Sequence, residues 1–446
     1  MRKILGNSQI ELSSKPRLER RPVDEIKPHP RHARKPNREQ RRKLETSLRK
    51  FGENAPILVD RHRFILAGHA RYEALKALGR THVWVLVLDH LNEVQARGYM
   101  LADNKIAELA DWDERKLASE ISGLIEIAEE FEIEDAGFDT GEIDLILQGL
   151  DATDPDEQDE FEPRVGQAVS AVGDLWSLGT HRLFCGDARD PASYQSLMDG
   201  QTAAAIFADP PFNVRIDGHA TGNGAQTHRE FPFASGEMSE AEFTDFLSRI
   251  LTLLREHSNA GALIYICMDW RHLWEILSAG RAADLPLLNF CIWSKTNAGM
   301  GSLYRSRHEL VLLFKNGTAP HINNVQLGRH GRNRSNVWEY PGANAFPRKG
   351  QERGLDYHPT VKPLALVSDA LLDCTRRDDI VLDPFIGAGT SILSAERTGR
   401  RCFGMELDPL YADTTIDRWQ RLTGQRAINQ EGQTFDQAAA ARNVVR

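Results

Sequence analysis

Apolar positions along the first 150 residues keep changing period. Over residues 39–51, Leu44, Leu48 and Phe51 fall at helical spacing after a polar, proline-rich turn at 27–36. Residues 56–59 and 61–66 read as short strands, 68–78 as a helix stopped by Gly79, and 83–88 as a β-branched strand. Two or three further helices carry the chain to about residue 150, whereas residues 1–20 show little apolar periodicity and form a loose basic arm. Past residue 164 the pattern settles. Short apolar runs at 203–208, 262–267, 288–293, 310–314, 380–382 and 401–405 alternate with helical segments, which predicts a mostly parallel α/β sheet. Residues 219–226 and 315–356 are rich in Gly, Asn and Arg without periodicity and are expected to be long functional loops.

Between the two regimes, residues 151–163 hold seven acids and two prolines and can bury little, so they read as a linker. The organisation expected is a basic arm over 1–20, a small α+β domain with an acidic helical tail over 21–150, an acidic linker over 151–164, an α/β domain over 165–430, and a tail over 431–446.

Charge sharpens this division. The net charge of −9 argues against a nucleic-acid partner only until it is resolved along the chain. Residues 108–163 carry 21 acidic and 2 basic side chains, so the remainder is net +10. Residues 1–50 hold 16 Lys/Arg against 6 Asp/Glu, and residues 301–363 hold 10 against 4. Basic segments of this kind suit phosphate contacts. The bulk composition, 41% hydrophobic and 27% charged, is that of a folded soluble protein. No run reaches the roughly 18–20 apolar residues of a bilayer span, and the charged N-terminus lacks a signal-peptide core. Five cysteines lie far apart with no Cys-x-x-Cys pair, as expected of reduced thiols in a cytoplasmic protein without a structural metal or a membrane partner.

Two motifs carry chemistry. Asp383-Pro-Phe-Ile-Gly-Ala-Gly-Thr390 lies between a strand and a helix, where a glycine turn lets a ligand approach the backbone. About 20 residues on, the next strand ends at Glu406, placed to accept hydrogen bonds from both ribose hydroxyls of a nucleoside. The spacing departs from the dinucleotide fingerprint, and no phosphate-cradling Gly-x-x-x-x-Gly-Lys-[Ser/Thr] loop is present. The second motif, Ala205-Ile-Phe-Ala-Asp-Pro-Pro-Phe-Asn213, ends a strand in Asp209, with Pro210 and Pro211 fixing the backbone and Phe212 following. It offers a carboxylate, an outward carbonyl and a ring face, but no nucleophile. Such a site suits a flat group with an exocyclic amine.

These motifs resemble the catalytic and S-adenosylmethionine motifs of the amino-DNA methyltransferases, which methylate adenine N6 or cytosine N4, in the permuted order called β. His358-Pro-Thr-Val-Lys-Pro363 matches the segment that packs against the methionine end, and Cys185-Gly-Asp-Ala188 the segment whose Asp reaches the cofactor adenine. The resemblance implies a Rossmann-like class I methyltransferase domain. Its catalytic residues would be Asp209, Pro210, Pro211 and Phe212. S-adenosylmethionine would be held by Asp187, Asp383, Phe385, Gly387, Gly389, Thr390, Glu406, Thr360 and Lys362. Arg329, Arg332, Arg334, Arg348 and Lys349, between the two motifs, would contact double-stranded DNA, with Asn333, Asn336 and Asn344 able to read base edges. C5-cytosine chemistry needs a thiolate that typically follows proline, and no cysteine here does.

The N-terminal domain resembles the ParB/sulfiredoxin-like domain through Pro28-His-Pro-Arg-His-Ala-Arg34, Asn54-Ala-Pro-Ile-Leu-Val59 and Gly68-His-Ala-Arg-Tyr-Glu-Ala74. The likeness implies an anion site at a helix start, Gly68, His69 and Arg71, that would take a nucleotide phosphate. Sulfiredoxin chemistry needs a cysteine that residues 1–184 lack. Three readings follow: adenine-N6 methylation, N4-cytosine methylation, and a ParB-like DNA-binding protein with a non-catalytic platform. Each is compatible with a homodimer.

Overall fold

A computed structural model of the chain describes residues 16–34, 38–107, 112–127, 132–151, 161, 164–213, 236–295, 303–325, 334–340 and 362–444. The chain divides into two compact units, Met1–Ala152 and Thr153–Arg446.

The first unit is a four-stranded sheet ordered β1-β4-β2-β3, comprising β1 (Arg17–Pro22), β2 (Ile57–Val59), β3 (Ile65–Ala67) and β4 (His82–Val87). Ile57, Val59, Ile65, Val83 and Val85 bury one face under Tyr72 and Leu75 of the helix His69–Ala77, beside the helix Arg38–Phe51. The end of the expected basic arm is therefore an edge strand. Arg17–Pro22 pairs antiparallel with β4 through its backbone, while Leu18 stays exposed, so no apolar alternation marks it in the sequence. Helices Glu93–Ala107, Glu114–Ile127 and Thr140–Asp151 follow, the last two closing over Ile121, Ile133 and Ile143. The acidic segment does more than solvate a surface. Asp139 and Asp135 reach Lys43 and Lys50 of the basic Arg38–Phe51 helix at 3.1 and 3.5 Å.

The second unit is built on ten strands: β5 (Leu175–Leu178), β6 (His181–Cys185), β7 (Ala203–Ala208), β8 (Ser258–Met268), β9 (Leu287–Ser294), β10 (His308–Lys315), β11 (Val337–Glu339), β12 (Ile380–Asp383), β13 (Arg401–Glu406) and β14 (Ile428–Asn429). Their order is β11-β9-β10-β8-β7-β12-β13-β6-β5-β14. The central run β8-β7-β12-β13-β6 is parallel, and β12, covered on both faces, is wholly buried. Antiparallel pairs flank it, and with β11 parallel to β9 five of the nine strand pairings among the described residues are parallel, the mostly parallel sheet that the alternating pattern predicts.

One face is covered by the helix Glu240–Glu256, started by a Ser239/Glu242 capping box, with Phe243, Leu247, Ile250 and Leu254 facing inward. On the other, helices Leu364–Cys374, Thr390–Thr398 and Pro409–Thr423 bury Val367, Leu371, Ile392, Ile416 and Trp419. Two further expectations need correction. The Gly/Asn/Arg-rich stretch expected as one loop contains β11, parallel to β9. The expected tail holds a capped helix, Phe435–Ala441, whose Phe435 packs edge-on against Trp176 at 5.4 Å. Among the described residues no helix is long and apolar enough to cross a membrane, and the five cysteines are buried.

Candidate functional site

Four adjacent parallel strands end at one edge of the large sheet, and each carries or precedes an acid: Asp187 after β6, Glu406 ending β13, Asp383 ending β12, Asp209 after β7. Binding sites of open α/β sheets form at this carboxyl edge. The antiparallel neighbours contribute there too, because the start of β10 (Glu309) lies opposite the end of β9 (Trp293).

The Asp383–Thr390 turn is built around its own carboxylate. Asp383 accepts from Ser391 Oγ at 2.6 Å and from the Phe385 amide at 3.0 Å, tying strand to helix. Burial pushes Asp383 up to about 7 against those hydrogen bonds. Phe385 lies near Phe246 edge-on at 6.4 Å, and Thr390 opens the helix. Gly389 caps that helix at φ +89°, and a Cβ there would lie 2.7 Å from Thr415 Cγ2. The backbone is thus held where only glycine fits, leaving a turn open to a nucleoside cofactor. Gly389→Ala is expected to cost about 2–4 kcal/mol through overpacking and a left-handed alanine, read as a lower urea midpoint at unchanged slope.

Glu406 accepts from the Gly387 amide at 2.9 Å and from the Asp408 amide at 2.8 Å. Burial raises it to about 7, and the two amides only partly offset this. A carboxylate has about four acceptor positions, so two stay open for ribose hydroxyls. The open acceptor positions thus fit the cofactor that the motif implies. Asp187 is engaged otherwise: its oxygens take the guanidinium and amide of Arg189, with the shortest contact at 2.7 Å. Arg189 is a partner that the motif alone does not reveal.

At Asp209 the chemistry changes. Oδ2 receives Lys362 Nζ at 2.5 Å, while Oδ1 is buried and has no hydrogen-bond partner among the described residues. Lys362 also lies 2.8 Å from Glu309 Oε1, and Glu309 Oε2 accepts from Lys295 at 2.9 Å. Burial lifts Asp209 to about 6, with Lys362 opposing and Glu309 reinforcing the rise. Burial also raises Glu309, but Lys362 and Lys295 overcome that and hold it below the usual carboxylate range. Burial lowers Lys362, and the two carboxylates more than reverse it, so it stays charged. Cys267 Sγ lies within 4.8 Å of both carboxylates, which share the lysine ammonium. Pro210 is buried, and Phe212 is half-buried with the Lys362 ammonium 5.5 Å from its ring centroid. Asn213, at φ +53°, closes the motif by binding the backbone of Gly236 and Met238.

Among the residues expected at the cofactor site, the structure brings Asp383, Phe385, Gly387, Gly389, Thr390 and Glu406 together, and Lys362 onto Asp209. Thr360 lies outside the described residues, as do Arg329, Arg332, Arg348 and Lys349. Arg334 is a correction. It donates to Asp369 at 2.8 Å and Tyr340 at 3.0 Å, pairs with Asp373 at 2.8 Å, and stacks over Trp338. Partners inside the fold take a guanidinium expected on phosphate. Asn336 likewise holds the Phe290 carbonyl. Glu309 and Lys295 were not anticipated. Their one signal is a lone acid heading the apolar run of β10, since a buried acid demands a cation.

In the first unit, Gly68 caps its helix at φ +93° and Arg71 donates to the Pro56 carbonyl at 3.4 Å. His69 stacks on His32 at 3.6 Å and accepts from the His29 amide. Burial, then His32 and His29, push it down to about 4, so at neutral pH it carries no charge for an anion. The cationic character lies beside it, in a cavity of about 510 Å³ lined by Arg31, His32, Arg34, Arg97, Asn104 and Lys105.

Residues 203–417 match the profile of a DNA methylase family, and residues 7–111 that of the ParB N-terminal domain. The chain is 24% identical over 226 residues to the type II methyltransferase M2.MboI of Moraxella bovis, covering 49% of this chain and 81% of that protein. It is 26% identical over 234 residues to M.HinfI of Haemophilus influenzae, covering 49% and 63%. A crystal structure of M1.HpyAVI with SAM superposes with a TM-score of 0.37 at 20% identity, over 53% of this chain and 98% of that one.

Proposed function

Because the chain joins a DNA methylase domain to a ParB-type N-terminal domain, we propose that it methylates adenine N6 in a base flipped out of double-stranded DNA, using S-adenosylmethionine. The observation that carries this reading is the split state of Asp209. One oxygen is pinned by Lys362, and the other is buried with no hydrogen-bond partner among the described residues. An unpaired buried acceptor costs about 1–3 kcal/mol, so it is a site waiting for a donor. A non-catalytic platform would gain nothing by keeping it.

An aromatic amine is a weak nucleophile because its lone pair is delocalised into the ring. Asp209 Oδ1 takes one amine hydrogen and the Pro210 carbonyl the other, which draws the nitrogen toward tetrahedral geometry and frees the lone pair. Phe212 stacks on the base, recovering part of the few kcal/mol that flipping costs. The proton that the nitrogen loses on methylation passes to Oδ1. When bound, S-adenosylmethionine supplies an electrophilic methyl group, and Glu406 and the Gly387–Gly389 turn hold its nucleoside. Preorganised acceptors and orientation supply the acceleration.

The aspartate heading the motif favours adenine, with N4-cytosine methylation as the second reading because both amines present the same two hydrogens. In the first unit, the basic cavity next to His69 suits a nucleotide phosphate. The test is nucleoside mass spectrometry of unmethylated mixed-sequence DNA incubated with isotopically labelled S-adenosylmethionine. Label is expected in N6-methyladenine. Label in N4-methylcytosine would keep the chemistry and change the base, and label in neither would overturn the reading.

A further inference from the structure

We propose that Lys362, braced by Glu309, is a positioning residue: it fixes the Asp209 carboxylate so that Oδ1 alone is presented to the target amine. The inference rests on the amino-methylation reading of this site and goes beyond it. It moves Lys362 from the cofactor side, where the sequence placed it, to the base side.

Three segments far apart in sequence build the brace. Lys295 follows β9, Glu309 is the second residue of β10, and Lys362 stands two residues before the helix Leu364–Cys374. Side-chain oxygens and nitrogens alternate Lys295–Glu309–Lys362–Asp209 at 2.9, 2.8 and 2.5 Å, two cations against two anions. The inner pair is dry, with Lys362 5% and Glu309 9% exposed. A buried ammonium with two carboxylate partners is held in one place, and so is the oxygen it touches. The same ammonium lies 5.5 Å from the Phe212 ring centroid and 5.8 Å from that of Trp293, so it contacts both the acceptor and the stacking ring.

Positioning here has an electrostatic side. The charged and titratable groups facing Asp209 are Lys362, Glu309, Lys295, Cys267 and Asp383. Lys362 is the nearest cation, and burial and the surrounding acids all favour protonation. A protonated Asp209 could donate from one oxygen, but it would no longer be the acceptor that the amine requires. Lys362 therefore keeps Oδ1 an acceptor at neutral pH, as well as holding it still. Glu309 acts through Lys362 and touches no reacting atom.

The experiment compares full-length wild type with Lys362→Met, Lys362→Arg and Glu309→Gln. Single-turnover methylation is followed from about pH 5.5 to about pH 9.5, and the Asp209 carboxyl is titrated by carbon NMR without DNA. S-adenosylmethionine affinity is measured by calorimetry. Removing an opposite charge at contact distance moves a carboxyl by about 1–3 pH units, so Lys362→Met should carry the acid limb and the NMR titration upward by at least one unit. Its cofactor affinity should stay within about threefold, and raising the pH should recover part of the lost rate. Lys362→Arg should keep the limb near wild type. Glu309→Gln, which removes a like charge, should move it down.

An unmoved titration in Lys362→Met overturns the proposal, as does a tenfold loss of cofactor affinity with the acid limb in place. Should the methionine variant not fold, the other two decide: an acid limb that stays near wild type in Lys362→Arg and falls in Glu309→Gln supports the proposal, and an unmoved limb in Glu309→Gln overturns it. A wild type that methylates no DNA would reject the amino-methylation reading, and the NMR titration would still report on the brace.

Discussion

Asp209→Ala is expected to slow single-turnover methylation by about a thousandfold, the scale of losing one preorganised group at the reacting atom of a dry site. Binding should barely change: the groups proposed to hold S-adenosylmethionine are the Gly387–Gly389 turn after β12, the neighbouring strand, and Glu406 at the end of β13, two strands over. The substitution also leaves Lys362 with one carboxylate instead of two, and Glu309 still neutralises it at 2.8 Å. The stability loss should thus fall below the roughly 3–5 kcal/mol typical of breaking a buried ion pair outright. Asp209→Asn separates the two contributions. It keeps the size and one carbonyl acceptor but loses the charge, so it should fall between alanine and wild type. Both variants are checked by rapid-quench methylation beside calorimetric cofactor titration. An alanine variant that methylates within tenfold of wild type would remove Asp209 from the chemistry.

The parts of this site that were legible in the sequence share one property: their signals are local. Asp209 and Asp383 each terminate an apolar run, and glycine or proline marks the turn that follows. Glu406 ends the next strand at the distance that a strand–helix–strand unit sets. These residues sit where backbone geometry alone places them. The unread parts depend on pairing between distant segments. Lys295, Glu309 and Lys362 are brought together by the antiparallel β9–β10 pair and by the approach to the helix Leu364–Cys374, and no local pattern encodes that meeting. Arg334 failed for the complementary reason. A basic residue in a polar stretch looks free until Asp369 and Asp373, on the helix Leu364–Cys374, turn out to be its partners.

Edges were hardest to read. Among the described residues, Arg17–Pro22 and Val337–Glu339 are bordering strands of their sheets, held by backbone hydrogen bonds to one neighbour. Such strands need no apolar alternation, so periodicity misses them. The helix Phe435–Ala441 is short and alanine-rich, and its place is fixed by Phe435 against Trp176, a contact spanning most of the unit's length.

Glu406→Gln is expected to weaken S-adenosylmethionine binding by about thirty- to a hundredfold, since hydrogen bonds to a charged acceptor contribute about 1.5–3 kcal/mol each. The amide matches the carboxylate in shape but puts an N–H where Gly387 or Asp408 already presents one. Because burial lifts Glu406 to about 7, the wild-type site should also respond to pH. Ribose hydroxyls donate to the ionised form, so affinity should rise as pH increases through 7, and binding below that point should release protons. The sign for the ligand-free protein is the reverse. A carboxyl whose folded value is raised stabilises below its unfolded value of 4.5, and that contribution is lost as pH rises through about 7. The cofactor-induced rise in melting temperature should therefore be larger at about pH 8 than at about pH 6. Asp383 is also raised to about 7 and, with one donor on each oxygen as in Glu406, could mimic the effect. The variant discriminates between them: Glu406→Gln should bind weakly with little pH dependence. If the slope survives in that variant, the titrating group is Asp383, and the ribose contact assigned to Glu406 fails.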